Sequence, residues 1–409
     1  MLSLIGFELK KIWKKKVNRV AMCLGLFLLL FVNYYSIKGE EFQLKEEEPK
    51  VKGLEAVKMQ AEYDKAQTGV LSEEYLTEIV TDYQNQLKKL EPGEEGYDWW
   101  LISPNTKIFS IVCNNYSEWN EQWRWEDLAS INTADGIGFY ERRLEKIRNG
   151  LNMDYSYGNY TEKEKQFWME KAQSVKTPFL YGNTETWNFI WNNIGVLFYL
   201  LFVISICIAP IFAGEYQNRT DALILTAKFG KTKLIGAKII SVFLFSVGYM
   251  LLCTVISAGS LMAVLGVEGY DLPVQLFSKN SPYDWTVLKA VTVHFGIMLL
   301  MAAFIGAFSM LLSARSKNPL IVLAVDFLLL LGTIFIPFSK NSRLINWILF
   351  LRPVLVIDFE EVLSTYNSCQ IGNVVISYIP MFCIAYGAAA VLCMVFTGRG
   401  FSRHQVGGR

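Results

Sequence analysis

Gly230-Lys231-Thr232 is the ending of a phosphate-binding loop, and in this 409-residue chain it raises the question of nucleotide chemistry first. Such a loop needs a glycine five positions before its Gly-Lys pair, so that backbone N–H groups wrap the phosphates. Position 225 is a leucine, and residues 225–232 read Leu-Thr-Ala-Lys-Phe-Gly-Lys-Thr. With one glycine and no soluble strand ahead of it, the stretch does not read as a nucleotide site. Hydrolase and metal patterns are missing as well. The chain has two histidines, His294 and His404, and no His-Glu-x-x-His, Gly-x-Ser-x-Gly or Cys-x-x-Cys. The sequence therefore predicts a chain that is not an enzyme, with no catalytic residue, no metal, no bound cofactor and no nucleic-acid partner.

Two ionisable residues fall inside apolar runs. Asp326 lies in the run 320–338 and His294 in the run 287–312. An acid inside a membrane span costs roughly 2.5–3.5 kcal/mol on insertion scales, so it faces a partner or water. One reading is an ion or substrate relay; the other is hydrogen-bonding glue between helices. Their different depths argue against a direct pair.

The elements that carry these residues are membrane spans. Hydrophobic residues make up 52% of the chain and charged residues 19%, which departs from soluble domains in both directions. The net charge of +1 hides a segregation: residues 38–185 hold 18 Lys/Arg and 28 Asp/Glu, a net of −10. Six apolar runs are long enough to cross a bilayer: 20–37, 187–213, 239–267, 287–312, 320–338 and 374–396. A seventh, 344–357, is short and broken by Arg352-Pro353, and reads as an external re-entrant or interfacial segment. The basic flank before the first run resembles a signal peptide, but no small-residue cleavage site follows, so it reads as a retained anchor. Counting Lys and Arg places residues 1–19, 214–238, 313–319 and 397–409 in the cytoplasm, with six, five, two and three. The short outside segments 268–286 and 339–373 hold one and three. Both termini are then inside. Of the seven cysteines only Cys113 and Cys369 fall outside the spans, as two unrelated thiols or as a bridge.

The expected fold is an all-α polytopic membrane protein of six transmembrane helices. Residues 1–19 form a cytoplasmic amphipathic helix lying on the lipid surface. Leu2, Ile5, Leu9, Ile12 and Trp13 share one face, and Lys10, Lys11, Lys14 and Lys15 the other. After the first helix, residues 20–37, comes an extracellular domain, 38–185, mainly helical and large enough for its own core. Helical patterns run over 53–67, 72–90, 138–149 and 162–175, with a capping box at Thr161 and Glu164. Trp99, Trp100, Trp119, Trp123, Trp125 and Trp168 supply its bulk, as core and interface anchors or as a ligand surface. Residues 186–409 hold the remaining spans. Small residues Gly296, Ala302, Ala303, Gly306 and Ala307 in the fourth suit close helix packing.

Between the second and third spans lies the cytoplasmic loop 214–238, read as a short helix with Tyr216, Thr220, Leu223 and Ala227 on one face, a turn at Phe229-Gly230, and a basic run. A short helix fixed between two spans transmits force, because a push on it moves both.

This loop resembles that of the ABC-2 type permeases, the membrane subunits of one class of ATP-driven exporters. The resemblance rests on Glu215, Thr220, residues 223–226, Phe229-Gly230, Lys231, Lys233 and Lys238, with Arg219 standing where the family's usual glycine does. The stretch Thr-Pro-Phe-Leu-Tyr-Gly-Asn-Thr-Glu-Thr-Trp-Asn-Phe-Ile at 177–190 resembles the family's approach to its second span. The resemblance implies a permease that pairs with a second, like or unlike, and binds a cytoplasmic ATP-binding subunit that keeps ATP and Mg. It implies that the loop is the coupling element, with Glu215, Tyr216, Arg219, Thr220, Asp221, Leu223 and Ala227 as its contacts. Related Gram-positive systems with such an insertion export, or protect against, antimicrobial peptides and other amphipaths. The rival readings are an ion-coupled carrier relying on Asp326 and a sensor or scaffold binding a peptide through its insertion.

Overall fold

Long apolar runs become helices because a helix satisfies its backbone polar groups internally, without water. The computed structural model describes the whole chain except residues 91–96, 157, 221–231 and 403–409. Five helical segments are long and apolar enough to span: Lys16–Gly39, Glu185–Gln217, Lys233–Leu265, Val287–Arg315 and Tyr378–Arg399. We call them the first, second, third, fourth and last long helices. The chain is a multi-pass membrane protein.

The expected sixth span is different. Its α-helix, Pro319–Leu330, has 12 residues, and a 3-10 turn, Gly332–Phe335, follows. At about 1.5 Å per residue the α-helix covers roughly 18 Å, short of a bilayer core of about 30 Å. The cause lies downstream. Arg352 reaches back and donates from Nη1 to the carbonyls of Thr333 and Ile336 at 3.0 and 2.7 Å, and from Nε to Leu349 at 2.8 Å. Those bonds reward carbonyls that leave the helical ladder. Residues 344–357 form two short pieces, Arg343–Leu349 and Pro353–Val356, on either side of the Arg352-Pro353 break. The last long helix also begins later than its hydropathy suggests. Val374–Ser377 is a strand paired antiparallel with Ser368–Ile371, and Gly372 at φ +61° makes the turn.

The fourth long helix is the hub, packed against the second, third and last and against Pro319–Leu330. Gly306 explains part of this: a side chain there would run into Ser246 and Val242 of the third helix. Gly296 has open space around it, so close packing is not the reason for that glycine.

The insertion between the first and second long helices carries α-helices at Leu54–Ala66, Glu73–Leu87, Phe139–Asn152 and Glu162–Gln173. Both halves of the Thr161/Glu164 capping box are present. Leu76, Val80, Ile108, Phe109, Val112 and Phe139 are buried in a core of its own. Gly69–Leu71 pairs with Phe179–Tyr181, which ties its beginning to its end. At its foot Lys107 bridges the buried carboxylates of Asp64 and Glu185. Burial opposes the Lys107 ammonium, but the two acids outweigh that and hold its pKa above the ordinary value. The insertion then seats on the loops between the long helices. Trp168 is fully buried between Tyr283 and Tyr366 and donates its indole N–H to Ser368 Oγ at 3.2 Å. Arg343 pairs with Glu164 at 2.7 Å. Trp119 packs on Tyr366, while Trp99, Trp123 and Trp125 pack edge-on and Trp100 stays half-buried. All seven cysteines are free thiols, Cys113 buried and Cys369 half-buried.

Candidate functional site

Pro210 interrupts the second long helix, because proline offers no N–H to the ladder. The short helix Pro210–Gln217 that restarts there has orphan N–H groups at its N-terminus. Ser313, near the end of the fourth helix, supplies a cap from outside. Its Oγ accepts from the N–H of Phe212 at 3.0 Å and of Ala213 at 2.9 Å, and donates to the carbonyl of Ala209 at 2.6 Å. Tyr216 adds a second tie by donating its hydroxyl to the carbonyl of Ala314 at 3.0 Å. The foot of the loop is thus pinned to the C-terminal end of the fourth helix.

The helix then stops in a defined way. The N–H of Thr220 bonds the carbonyl of Glu215 at 3.0 Å, and the N–H of Arg219 bonds that of Tyr216 at 3.2 Å. This is the Schellman pattern, which needs a left-handed residue at the first position past the helix. Arg219 supplies it at φ 56°, the one positive φ outside glycine among the described residues. The glycine usual at this position in the resembled family therefore has a physical reason, and arginine fills it at a cost of about 1 kcal/mol or somewhat more. Arg219→Gly should raise the melting midpoint of the purified chain slightly, and Arg219→Val should lower it. A melt in which valine outperforms glycine would remove the left-handed assignment.

The expected shared face of Tyr216, Thr220, Leu223 and Ala227 is corrected in part. The helix ends at Gln217, so Tyr216 and Thr220 are not on one continuous helix. Asp221, Leu223 and Ala227 lie outside the described residues. Arg219 and Thr220 are exposed.

Glu215 is not exposed. It is 4% accessible and sits in an ion cluster with Glu8, Lys11 and Lys238. Lys238, in the second turn of the third long helix, is 0% accessible. Its Nζ lies 2.8 Å from Glu215 Oε1, 3.0 Å from Glu8 Oε2 and 3.2 Å from the carbonyl of Ile211. Lys11 Nζ lies 2.5 Å from the same Glu215 oxygen. Burial works against the Lys11 ammonium, but its bond to Glu215 and the charges of Glu215 and Glu8 outweigh this and raise its pKa. Glu8, Glu215 and Lys238 are buried and Lys11 closes the cluster at its half-exposed rim, so each buried charge depends on the others. The N-terminal helix Leu2–Lys14 is thereby locked to both ends of the loop, and Ser241 Oγ adds a bond to the carbonyl of Ile5 at 3.1 Å. Within that helix Glu8 and Ile12 are buried, while Leu2, Phe7 and Trp13 stay exposed.

Sequence reasoning missed Glu8, Lys11 and Ser313 as parts of this site. One signal was on view: Glu8 is the sole acid in residues 1–39, amid lysines.

Asp326 and His294 are both fully buried and do not meet. Asp326 accepts from Ser309 Oγ at 2.6 Å and from Ser205 Oγ, joining the second and fourth long helices to the helix Pro319–Leu330. His294 Nε2 lies 2.8 Å from the carbonyl of Val356, with its ring stacked on Phe359. One polar atom of each is bonded as glue would require, while Asp326 Oδ1 and His294 Nδ1 are buried with no hydrogen-bond partner among the described residues. Asp326→Asn keeps an oxygen for the two serines, so it should change stability by no more than about 1 kcal/mol and leave transport intact. Loss of transport in a variant that melts like the wild type would restore the relay.

Against this geometry, residues 171–331 match the family model of the ABC-2 family transporter protein. That segment resembles ABC-2 transporter sequence over less than half of the chain. It runs from the insertion's last long α-helix, through the loop with Glu215 and Lys238 but not Glu8 or Lys11, to the end of the short apolar helix, and it supports an ABC transporter permease. Such permeases associate with an ATP-binding subunit. No curated protein and no solved structure matches the chain.

Proposed function

We propose that this chain is the permease of an ATP-driven exporter, and that the loop around 214–238 receives the push of a cytoplasmic ATP-binding subunit. The observation that carries the reading is the ion cluster of buried Glu8, Glu215 and Lys238 with half-exposed Lys11. It joins both ends of the loop and the N-terminal helix into one rigid foot, inside or beside the segment that matches the ABC-2 family. Force applied between Thr220 and Thr232 then moves the second and third long helices together. In this reading Glu215 and Tyr216 position the loop. Exposed Arg219 and Thr220, with Asp221, Leu223 and Ala227, meet the partner.

The rest of the proposal follows from charge and surface. Residues 320–338 cross the membrane as a broken segment, six crossings put both termini in the cytoplasm, and the insertion faces outward. The membrane is the plasma membrane of a Gram-positive bacterium. ATP and Mg belong to the partner, and this chain does no catalysis. The exposed apolar face of the first long helix, with Leu24, Phe27 and Phe31, meets lipid or a second permease, like or unlike. The cargo is an amphipathic compound such as an antimicrobial peptide or drug, drawn toward an insertion of net charge −10.

Purification in mild detergent from the native host tests the class directly. An ATP-binding chain should come with it, and its ATPase rate should respond to a cationic amphipathic peptide. A homogeneous, transport-competent sample with no ATP-binding chain would overturn the proposal.

A further inference from the structure

A cavity of about 270 Å³ lies where the insertion meets the segments that precede the last long helix. Trp119 and Tyr160 of the insertion wall it on one side, and Phe338, Phe350, Tyr366 and Tyr378 on the other. Its volume falls just below the roughly 300–1,000 Å³ of small-molecule sites, which suits one ring-sized group and excludes a whole peptide.

Two features point to an occupant. Tyr378 is 2% accessible, and its buried hydroxyl has no hydrogen-bond partner among the described residues. An unpaired buried hydroxyl costs about 1–3 kcal/mol, a cost that a ligand's polar atom removes. The second feature is charge. Glu361 is exposed and, among the described residues lining the cavity, is the only formally charged one; none of them is a lysine, arginine or histidine.

The neighbouring cations are already engaged. Arg343 lies over the Tyr160 ring at 4.9 Å and is neutralised by Glu164. Arg352 lies over the Phe338 ring at 4.4 Å and is committed to three carbonyls. Both show that these walls accept positive charge on an aromatic face.

We propose that this cavity binds an aromatic group bearing an amine, with the ring between the aromatic walls, the ammonium on Glu361 and the Tyr378 hydroxyl satisfied. The free amine and the aromatic end of a cationic peptide share this chemistry. The net charge of −10 on residues 38–185 concentrates either at the site. The site deepens the export reading by naming the cargo's recognition group, yet its binding needs neither ATP nor a partner. An occupant would bridge the insertion and the start of the last long helix.

The test uses the full chain in detergent and calorimetric titration with phenethylamine, and with 2-phenylethanol as its neutral match. Phenethylamine should bind saturably and about tenfold tighter than the alcohol, a margin typical of a charge-assisted bond. Glu361→Gln keeps its backbone N–H on Asp358 and should abolish that preference. Tyr378→Phe should weaken both probes a few-fold, and Glu268→Gln, remote from the cavity, should leave both unchanged. The amide of Lys-Phe-Lys forms a further arm: tighter binding than phenethylamine identifies a peptide source, and weaker binding a free amine. No saturable binding of phenethylamine, or a preference that survives Glu361→Gln, overturns the site while leaving the export proposal standing. Absence of an ATP-binding partner would sink the export proposal and leave the site untouched.

Discussion

Lys238→Met is expected to lower the stability of the purified chain by about 3–5 kcal/mol, because it removes one partner of a buried ionic cluster and leaves the others uncompensated. Methionine reproduces the lysine stem and stops one atom short of the ammonium that lies over Phe212, so packing is largely kept and the loss is mainly electrostatic. The Lys238 ammonium bonds Glu8, Glu215 and the Ile211 carbonyl. Without it, Glu8 loses its ion pair and Glu215 keeps only Lys11. The apparent melting midpoint should fall by something on the order of 5–10 °C. Adding Glu8→Gln to Lys238→Met should recover part of the loss, since the stranded charge is gone, and the cycle of the two variants should show coupling well above 0.5 kcal/mol. Under the proposed function the same variant should still recruit the ATP-binding subunit but transport at least tenfold more slowly. Wild-type melting of Lys238→Met would show that the cluster stabilises nothing.

Much of this arrangement was legible in the sequence, and the parts that were not share a physical cause. Five long helices follow from apolar length alone, and the capping box at Thr161 from local chemistry. The family resemblance also picked out Glu215 and Lys238, the first as a contact for the ATP-binding subunit and the second as part of a basic run. Their burial depends on Glu8 and Lys11, more than 200 positions away in the chain, and no local pattern encodes that contact. Ser313 was hidden in the same way, since its work is to cap a helix that Pro210 restarted elsewhere. Arg219 read as a blemish in a motif. The backbone shows that the position selects for left-handed conformation, which glycine meets most easily. The sixth apolar run departs from one continuous helix for a complementary reason. Hydropathy reports how apolar residues 320–338 are, and says nothing of whether their carbonyls have a better partner than the helix ladder.

That partner is Arg352, and its loss should have the second large effect. Three carbonyls, of Thr333, Ile336 and Leu349, take their bonds from one guanidinium that is 9% accessible. They sit at the ends of Pro319–Leu330, its 3-10 extension and Arg343–Leu349, where an apolar setting leaves little water to replace the donor. Arg352→Ala strands the Ile336 carbonyl, leaves those of Thr333 and Leu349 with one backbone N–H each, and removes the cation from the face of Phe338. The expected cost is about 2–4 kcal/mol, from one orphaned carbonyl at about 1–3 kcal/mol and the loss of two charge-assisted bonds, with partial relaxation. Arg352→Lys should recover less than half, because an ammonium is a point donor that cannot reproduce the fork joining two separate segments. The melt should be read together with amide hydrogen exchange over residues 331–338. Arg352→Ala should speed exchange there and leave the helices Lys233–Leu265 and Val287–Arg315 protected. If lysine substitutes fully, or if exchange rises everywhere alike, the fork is not what breaks the sixth apolar run. Residues 319–335 would then owe their shape to Gly332 and the packing around it.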